Sequence, residues 1–110
     1  MAPDVRVTAA VATVLAAFLE DPSADRYGLD LMRATDQPSG TLYPILARLQ
    51  RAGWVVAEWE ELDPVAAGRP PRRYYRLTPS GLTEARAAVA ELYGRLSRAQ
   101  RGGAAKPRIA

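Results

Sequence analysis

Gly68-Arg69-Pro70-Pro71-Arg72-Arg73-Tyr74-Tyr75-Arg76-Leu77 is the stretch that decides how this chain folds. A basic tip stiffened by adjacent prolines runs into residues that alternate as a strand does, with Arg73, Tyr75 and Leu77 on one face. Tyr75, in register with Leu77, is assigned to the core, which leaves Tyr74 beside the arginines. Upstream, Trp54 to Glu60 alternates partly, with Val55, Ala57 and Trp59 sharing a face, and both tryptophans are read as core plugs. Glu60-Glu61-Leu62-Asp63-Pro64-Val65-Ala66-Ala67-Gly68 between the two strands is read as an irregular hairpin loop. Two strands and a basic tip make a wing. Arg69, Arg72, Arg73 and Arg76 crowd their guanidinium groups onto a few residues, and a duplex phosphate backbone would neutralise them. Pro70-Pro71 is expected to keep the tip from folding back onto Glu58, Glu60, Glu61 and Asp63; an inward salt-bridge cluster with those acids is the competing account.

Ahead of the wing, Ser39-Gly40-Thr41-Leu42-Tyr43-Pro44-Ile45-Leu46 opens a helix whose buried stripe is Leu42, Ile45, Leu46 and Leu49. Gly53 supplies the left-handed position that ends it. Pro44 falls in or just after the first turn, where the residue four back is Gly40 and the loss of a hydrogen bond does least damage. Thr41, Tyr43, Arg48 and Arg51 are left on the polar side. An earlier helix is capped by Thr8, carries Val7, Val11, Val14, Leu15, Phe18 and Leu19 on one face and stops at Asp21-Pro22. Asp25 is read as the cap of a short second helix with Tyr27, Leu31 and Met32 inward. Asp36-Gln37-Pro38-Ser39-Gly40 is then a turn of the length that a helix-turn-helix requires. Thr78-Pro79 starts a last helix. Its apolar residues Leu82, Ala85, Val89, Leu92 and Leu96 step three, four, three and four, the spacing of a helix that pairs with a copy of itself.

These readings give a mainly α fold with a small β wing (α+β): a winged helix-turn-helix over residues 1–78, a dimerisation helix over 79–99 and a disordered basic tail over 100–110. The chain has 110 residues, Lys plus Arg 15 against Asp plus Glu 12, and a pI near 9.7 that is almost wholly due to arginine, the one lysine being Lys106. That balance fits a polyanionic partner. With His 0 and Cys 0, imidazole bases, thiolate nucleophiles, disulfides and the usual zinc ligand sets are excluded, and neither a metal nor a cofactor is expected. Glu60 and Glu61 are adjacent on a strand and point to opposite faces, so they cannot flank one substrate. An enzyme is not expected. No apolar run approaches a membrane span, the N-terminal residues lack a secretory layout, and a cytoplasmic protein without membrane contact is expected.

Tyr27-Gly28 with Leu31, Gly40-Thr41-Leu42-Tyr43-Pro44-Ile45-Leu46 with Arg48-Leu49, Gly53, Gly68-Arg69-Pro70 and Arg73-Tyr74-Tyr75-Arg76-Leu77-Thr78 together resemble the PadR family of bacterial transcriptional regulators. The match covers nearly everything from the first helix to the start of the last, and the short C-terminal region is similar to the subfamily with a single dimerisation helix. The resemblance implies a homodimeric repressor whose third helix enters the major groove and whose wing touches the backbone or minor groove. It also implies that an effector, where one exists, is a small planar or aromatic compound bound between or beneath the dimer helices. Some members stack such ligands on a tryptophan of the last helix; this chain has only Tyr93 there.

The expected contacts to double-stranded DNA are therefore Ser39, Gly40, Thr41, Tyr43, Pro44, Arg48, Arg69, Arg72, Arg73 and Tyr74, and the expected dimer seam is Leu82, Ala85, Val89, Leu92 and Leu96. Phosphate neutralisation would supply affinity and the first turns of the third helix specificity. For Tyr43 the alternative is packing on the wing of its own domain. For the whole chain the alternatives are a winged-helix module that docks on protein without specific DNA binding, and a small-molecule carrier whose DNA binding is vestigial.

Overall fold

The computed structural model describes residues 5–105. In chain order the elements are α1 (Ala9–Leu19), β1 (Arg26–Tyr27), α2 (Gly28–Thr35), α3 (Ser39–Arg51), β2 (Val55–Trp59), α4 (Pro64–Ala67), β3 (Arg73–Leu77) and α5 (Pro79–Ala105). The three strands form one antiparallel sheet in the order β1-β3-β2. It is a mainly helical winged fold, as the sequence requires.

Several helix ends have a local cause. Thr8 accepts the Val11 N–H at 3.3 Å and so caps α1. Asp36 closes α2 with φ 52°, a left-handed position that a short acidic side chain tolerates. At the end of α3 the Gly53 N–H reaches the Gln50 carbonyl at 3.0 Å and the Trp54 N–H reaches that of Leu49 at 2.9 Å. This paired closure needs the positive φ of 78° that Gly53 adopts. Thr78 Oγ1 accepts the Gly81 N–H at 2.9 Å and donates to the Gly53 carbonyl at 2.7 Å, so one hydroxyl starts α5 and ties it to the end of α3. Gly81 has to be glycine because a Cβ there would strike the Trp54 carbonyl.

The core lies where α1, α2 and α3 meet the sheet and the first turns of α5. Val11, Val14, Leu15 and Phe18 from α1 pack with Leu31, with the α3 stripe Leu42, Ile45, Leu46 and Leu49, and with Trp54, Val55, Tyr75 and Leu77. All four stripe residues of α3 are buried, and Pro44 and Gly40 lie on the exposed side, where water can reach the carbonyl that Pro44 leaves unbonded.

Several expectations are corrected. Asp25 does not cap α2; Tyr27 precedes that helix without a side-chain capping bond, and Arg26 and Tyr27 instead form a third strand, paired with Tyr75 and Tyr74. Two residues are too few to show an alternating pattern, so only the pairing to β3 reveals them. The loop after β2 contains a helical turn, α4, in which the Asp63 carboxylate accepts the Val65 N–H at 3.0 Å and Gly68 closes the turn at φ 69°. Trp59 is no core plug. It lies on the same face as Val55 and Ala57, but the hairpin has by then outrun the body of the domain.

α5 runs through Gln100 to Ala105, past the helix boundary expected at 99, since extending an existing helix is far easier than nucleating one. The remainder of the expected tail, residues 106–110, lies outside the described residues. The seam on α5 also divides. Ala85 is fully buried in the core of its own domain, and Leu82 and Val89 pack against that core beside α1. Only Leu92 and Leu96 continue beyond it. A three-four spacing is satisfied equally by a helix lying on its own neighbour, which is why periodicity alone assigned the whole seam to a second copy.

Candidate nucleic-acid interface

Packing fixes which side of α3 faces out. With Leu42, Ile45, Leu46 and Leu49 inward, Ser39, Gly40, Thr41, Tyr43, Pro44, Arg48, Gln50 and Arg51 are exposed. Thr41 and Arg48 are two turns apart on one edge of the exposed arc, while Tyr43 stands on the other edge, toward the wing. Tyr43 is 43% exposed, and its hydroxyl lies against Gly28 so closely that a Cβ at position 28 would collide with it. A recess of about 490 Å³ opens here, bordered by Tyr27, Gly28, Tyr43, Arg72, Arg73 and Tyr75. The third helix and the wing thus converge on one hollow.

The wing is held by the β2–β3 register, Val55 opposite Leu77, Ala57 opposite Tyr75 and Trp59 opposite Arg73. Its arginines separate into two kinds. Arg72 lies 5.9 Å from the centre of the Tyr27 ring, and Arg73 lies 5.9 Å from the rings of both Trp59 and Tyr75. Among the described residues neither has a carboxylate partner. Their charge is held on aromatic faces and remains available to an anion.

Arg69 and Arg76 are engaged within the fold. Arg69 pairs with Glu60 at 2.7 Å, and Arg76 pairs with Asp25 at 2.8 Å and with Glu58 at 3.8 Å. The expectation that Pro70-Pro71 keeps the tip from folding back onto these acids is corrected: the inward cluster forms for these two. Glu60 sits opposite Arg72, its N–H donating to the Arg72 carbonyl at 2.9 Å, so the extended Pro70-Pro71 segment carries Arg69 back over Glu60 rather than away from it. Tyr74 likewise donates to Glu58 at 2.9 Å and stands edge-on to Tyr27, with ring centres 6.4 Å apart. These bonds raise the guanidinium pKa values of Arg69 and Arg76 through Glu60 and Asp25 respectively, and that of the Tyr74 phenol through Glu58.

Tyr27 and Asp25 are the site residues that sequence reasoning missed, and Glu60 entered it only through the competing salt-bridge account. Tyr27 and Glu60 are 33 positions apart and Asp25 and Arg76 are 51 apart, so no local spacing could have joined them. On α5, Leu92, Tyr93 and Leu96 face Ala9, Ala12, Thr13 and Ala16 of α1 across an apolar groove of about 260 Å³. Among the described residues no cluster suited to a metal occurs and no helix is long and apolar enough to cross a membrane.

A buried helical stripe, a turn of a few residues and a basic wing beside the outward helix face define a winged helix-turn-helix transcription factor. The chain belongs to the transcriptional regulator PadR-like family, whose family model matches residues 17–87. The family is one of transcriptional regulators rather than enzymes. The chain is 50% identical over 56 residues to the transcriptional regulator Rv3488 of Mycobacterium tuberculosis (strain ATCC 25618 / H37Rv), the match covering 48% of each; the chain thus spans about half the length of that curated relative. The crystal structure of smu.1704 from Streptococcus mutans UA159 superposes with a TM-score of 0.71 at 24% identity, over 98% of this chain and 100% of that one. A MepR mutant of S. aureus bound to an oligodeoxyribonucleotide has the same fold, with a TM-score of 0.63 at 16% identity over 87% of this chain and 64% of that one.

Proposed function

We propose that the chain is a homodimeric, cytoplasmic repressor of a short palindromic operator, with α3 in the major groove and the wing on the backbone. The observation that carries this reading is the convergence of Tyr43 with Arg72 and Arg73 on one recess, since a helix seated in a groove brings its flanking phosphates to that position. The exposed arc of α3 offers the hydrogen-bonding and charged groups of Thr41, Tyr43, Arg48, Gln50 and Arg51 and no exposed Leu, Ile, Val or Met, which suits base edges better than a protein-docking face. The DNA-bound MepR neighbour supports the same use of the shared fold. A second copy covers Leu92, Tyr93 and Leu96, and the groove they form with α1 is where a small planar or aromatic effector enters, against Tyr93.

Selection of duplexes from a random pool, followed by fluorescence anisotropy, tests the proposal. The selected site is expected to be a palindrome with half-sites roughly one helical turn apart. Tyr43→Ala should bind it more weakly by about 1–3 kcal/mol while binding scrambled duplex as the parent does. A parent that does not distinguish the two duplexes would contradict sequence-specific binding and favour the protein-docking alternative.

A further inference from the structure

We propose that Glu60, acting with Tyr27, is the positioning residue of the wing: its carboxylate locks the hairpin to the start of α2 so that Arg72 and Arg73 are presented to the duplex backbone. The proposal rests on the reading of the wing as a phosphate clamp. A carboxylate on a surface that meets DNA is repelled by it and also withdraws Arg69 from phosphate, so its presence calls for a compensating role. The bonding supplies one. Glu60 Oε1 accepts Arg69 Nη1 at 2.7 Å and the Arg72 backbone N–H at 2.8 Å, while Oε2 accepts Arg69 Nη2 at 3.2 Å and the Tyr27 hydroxyl at 2.9 Å.

Both oxygens are thus filled by donors from three places: the tip at Arg69, the return strand at Arg72 and the end of β1 at Tyr27. The Glu60 side chain is only 15% accessible although it lies in a surface hairpin. Tyr27 is also the residue that enters α2, and its ring carries both the Arg72 guanidinium and the edge of Tyr74. One carboxylate therefore couples the wing to the helix-turn-helix through hydrogen bonds that fix direction as well as distance. Without it Arg72 would be tied to the body through the ring of Tyr27, and the two arginines would meet phosphate at an ordering cost.

The test is anisotropy over a salt series, on the selected duplex, with the parent and the variants Glu60→Ala, Glu60→Gln, Tyr27→Phe and Arg72→Ala, each checked for parental circular dichroism and sedimentation. Removing the negative charge by Glu60→Ala should lower affinity about tenfold and make the log–log salt slope shallower by about one unit for each phosphate no longer neutralised. Glu60→Gln keeps the shape but sets an amide donor against Arg69 or Tyr27, and should act in the same direction. Tyr27→Phe, which deletes a single hydroxyl, should show a smaller decrease and keeps the test open if the Glu60 variants fold poorly. Arg72→Ala should cost less in the Glu60→Ala background than in the parent, a coupling that a merely structural carboxylate would not produce. Tighter binding by Glu60→Ala, or strict additivity with Arg72→Ala, overturns the proposal. Arg72→Ala binding every duplex as the parent does overturns the phosphate-clamp reading itself, a result distinct from the other two.

Discussion

Trp54 precedes β2 and Trp59 ends it, yet the first is 7% exposed in the core and the second 63% exposed beside Arg73. Trp54→Ala is expected to destabilise the fold by about 3–5 kcal/mol, the range for an aromatic removed from a core, and Trp59→Ala by less than about 0.5 kcal/mol. Urea denaturation of the two variants checks this. Equal destabilisation would mean that the wing face is packed along its whole length. At Gly28 the Tyr43 hydroxyl occupies the space of a Cβ, so Gly28→Ala should push Tyr43 aside and lower specific affinity while leaving scrambled-duplex binding unchanged. Residue-scale signals that depend on near neighbours were legible in the sequence: the Thr8 and Thr78 caps, the Gly53 stop and the choice of Tyr75 over Tyr74 for the core all follow from a few adjacent residues. Trp59 was not legible, because alternation gives a side chain's face and not how far the sheet beneath it extends.

Among the elements, the wing is where charge decides behaviour. Arg69 donation to Glu60, helped by the Arg72 N–H and the Tyr27 hydroxyl, pulls the Glu60 carboxyl down to about 2 from its ordinary 4.5. A carboxylate held more acidic in the fold than in the unfolded chain stabilises the fold above its unfolded pKa, and that contribution disappears as pH falls from about 4.5 through about 2. The stability difference between the parent and Glu60→Gln should therefore be constant from neutral pH to about pH 5 and shrink below it. Thermal denaturation across that window measures it; a difference that changes between about pH 5 and 8 would mean that another group carries the effect. Neutralising Arg72 and Arg73 together should weaken binding to all duplexes nearly alike and flatten the salt dependence by about one unit for each phosphate they cease to neutralise. The two strands and the basic tip could be read from alternation, proline and charge. Which arginines stay free could not, because that depends on Asp25 arriving beside Arg76 through the β1–β3 pairing and on the hairpin tip turning Arg69 back onto Glu60.

Across the whole molecule, α5 changes surroundings along its 27 residues. Its first turns belong to the core through Ala85, which is 0% exposed, while Leu96 is 60% exposed on the far part. Ala85→Glu should unfold the domain, since a buried unpaired charge costs about 4 kcal/mol or more. Leu92→Glu and Leu96→Glu should leave the wing and core folded and yield sedimenting monomers, and an unchanged dimer for both would move the proposed interface to another surface. Heptad spacing identified the helix and its apolar edge correctly but could not tell an intramolecular neighbour from a second copy. The arrangement as a whole is tested most directly by hydroxyl-radical footprinting of the parent on its selected duplex. Two protected backbone segments per strand are expected, related by a two-fold axis and about one helical turn apart, each flanked by wing protection that Arg72→Ala and Arg73→Ala remove. A single unsymmetrical footprint that survives both substitutions would contradict that arrangement.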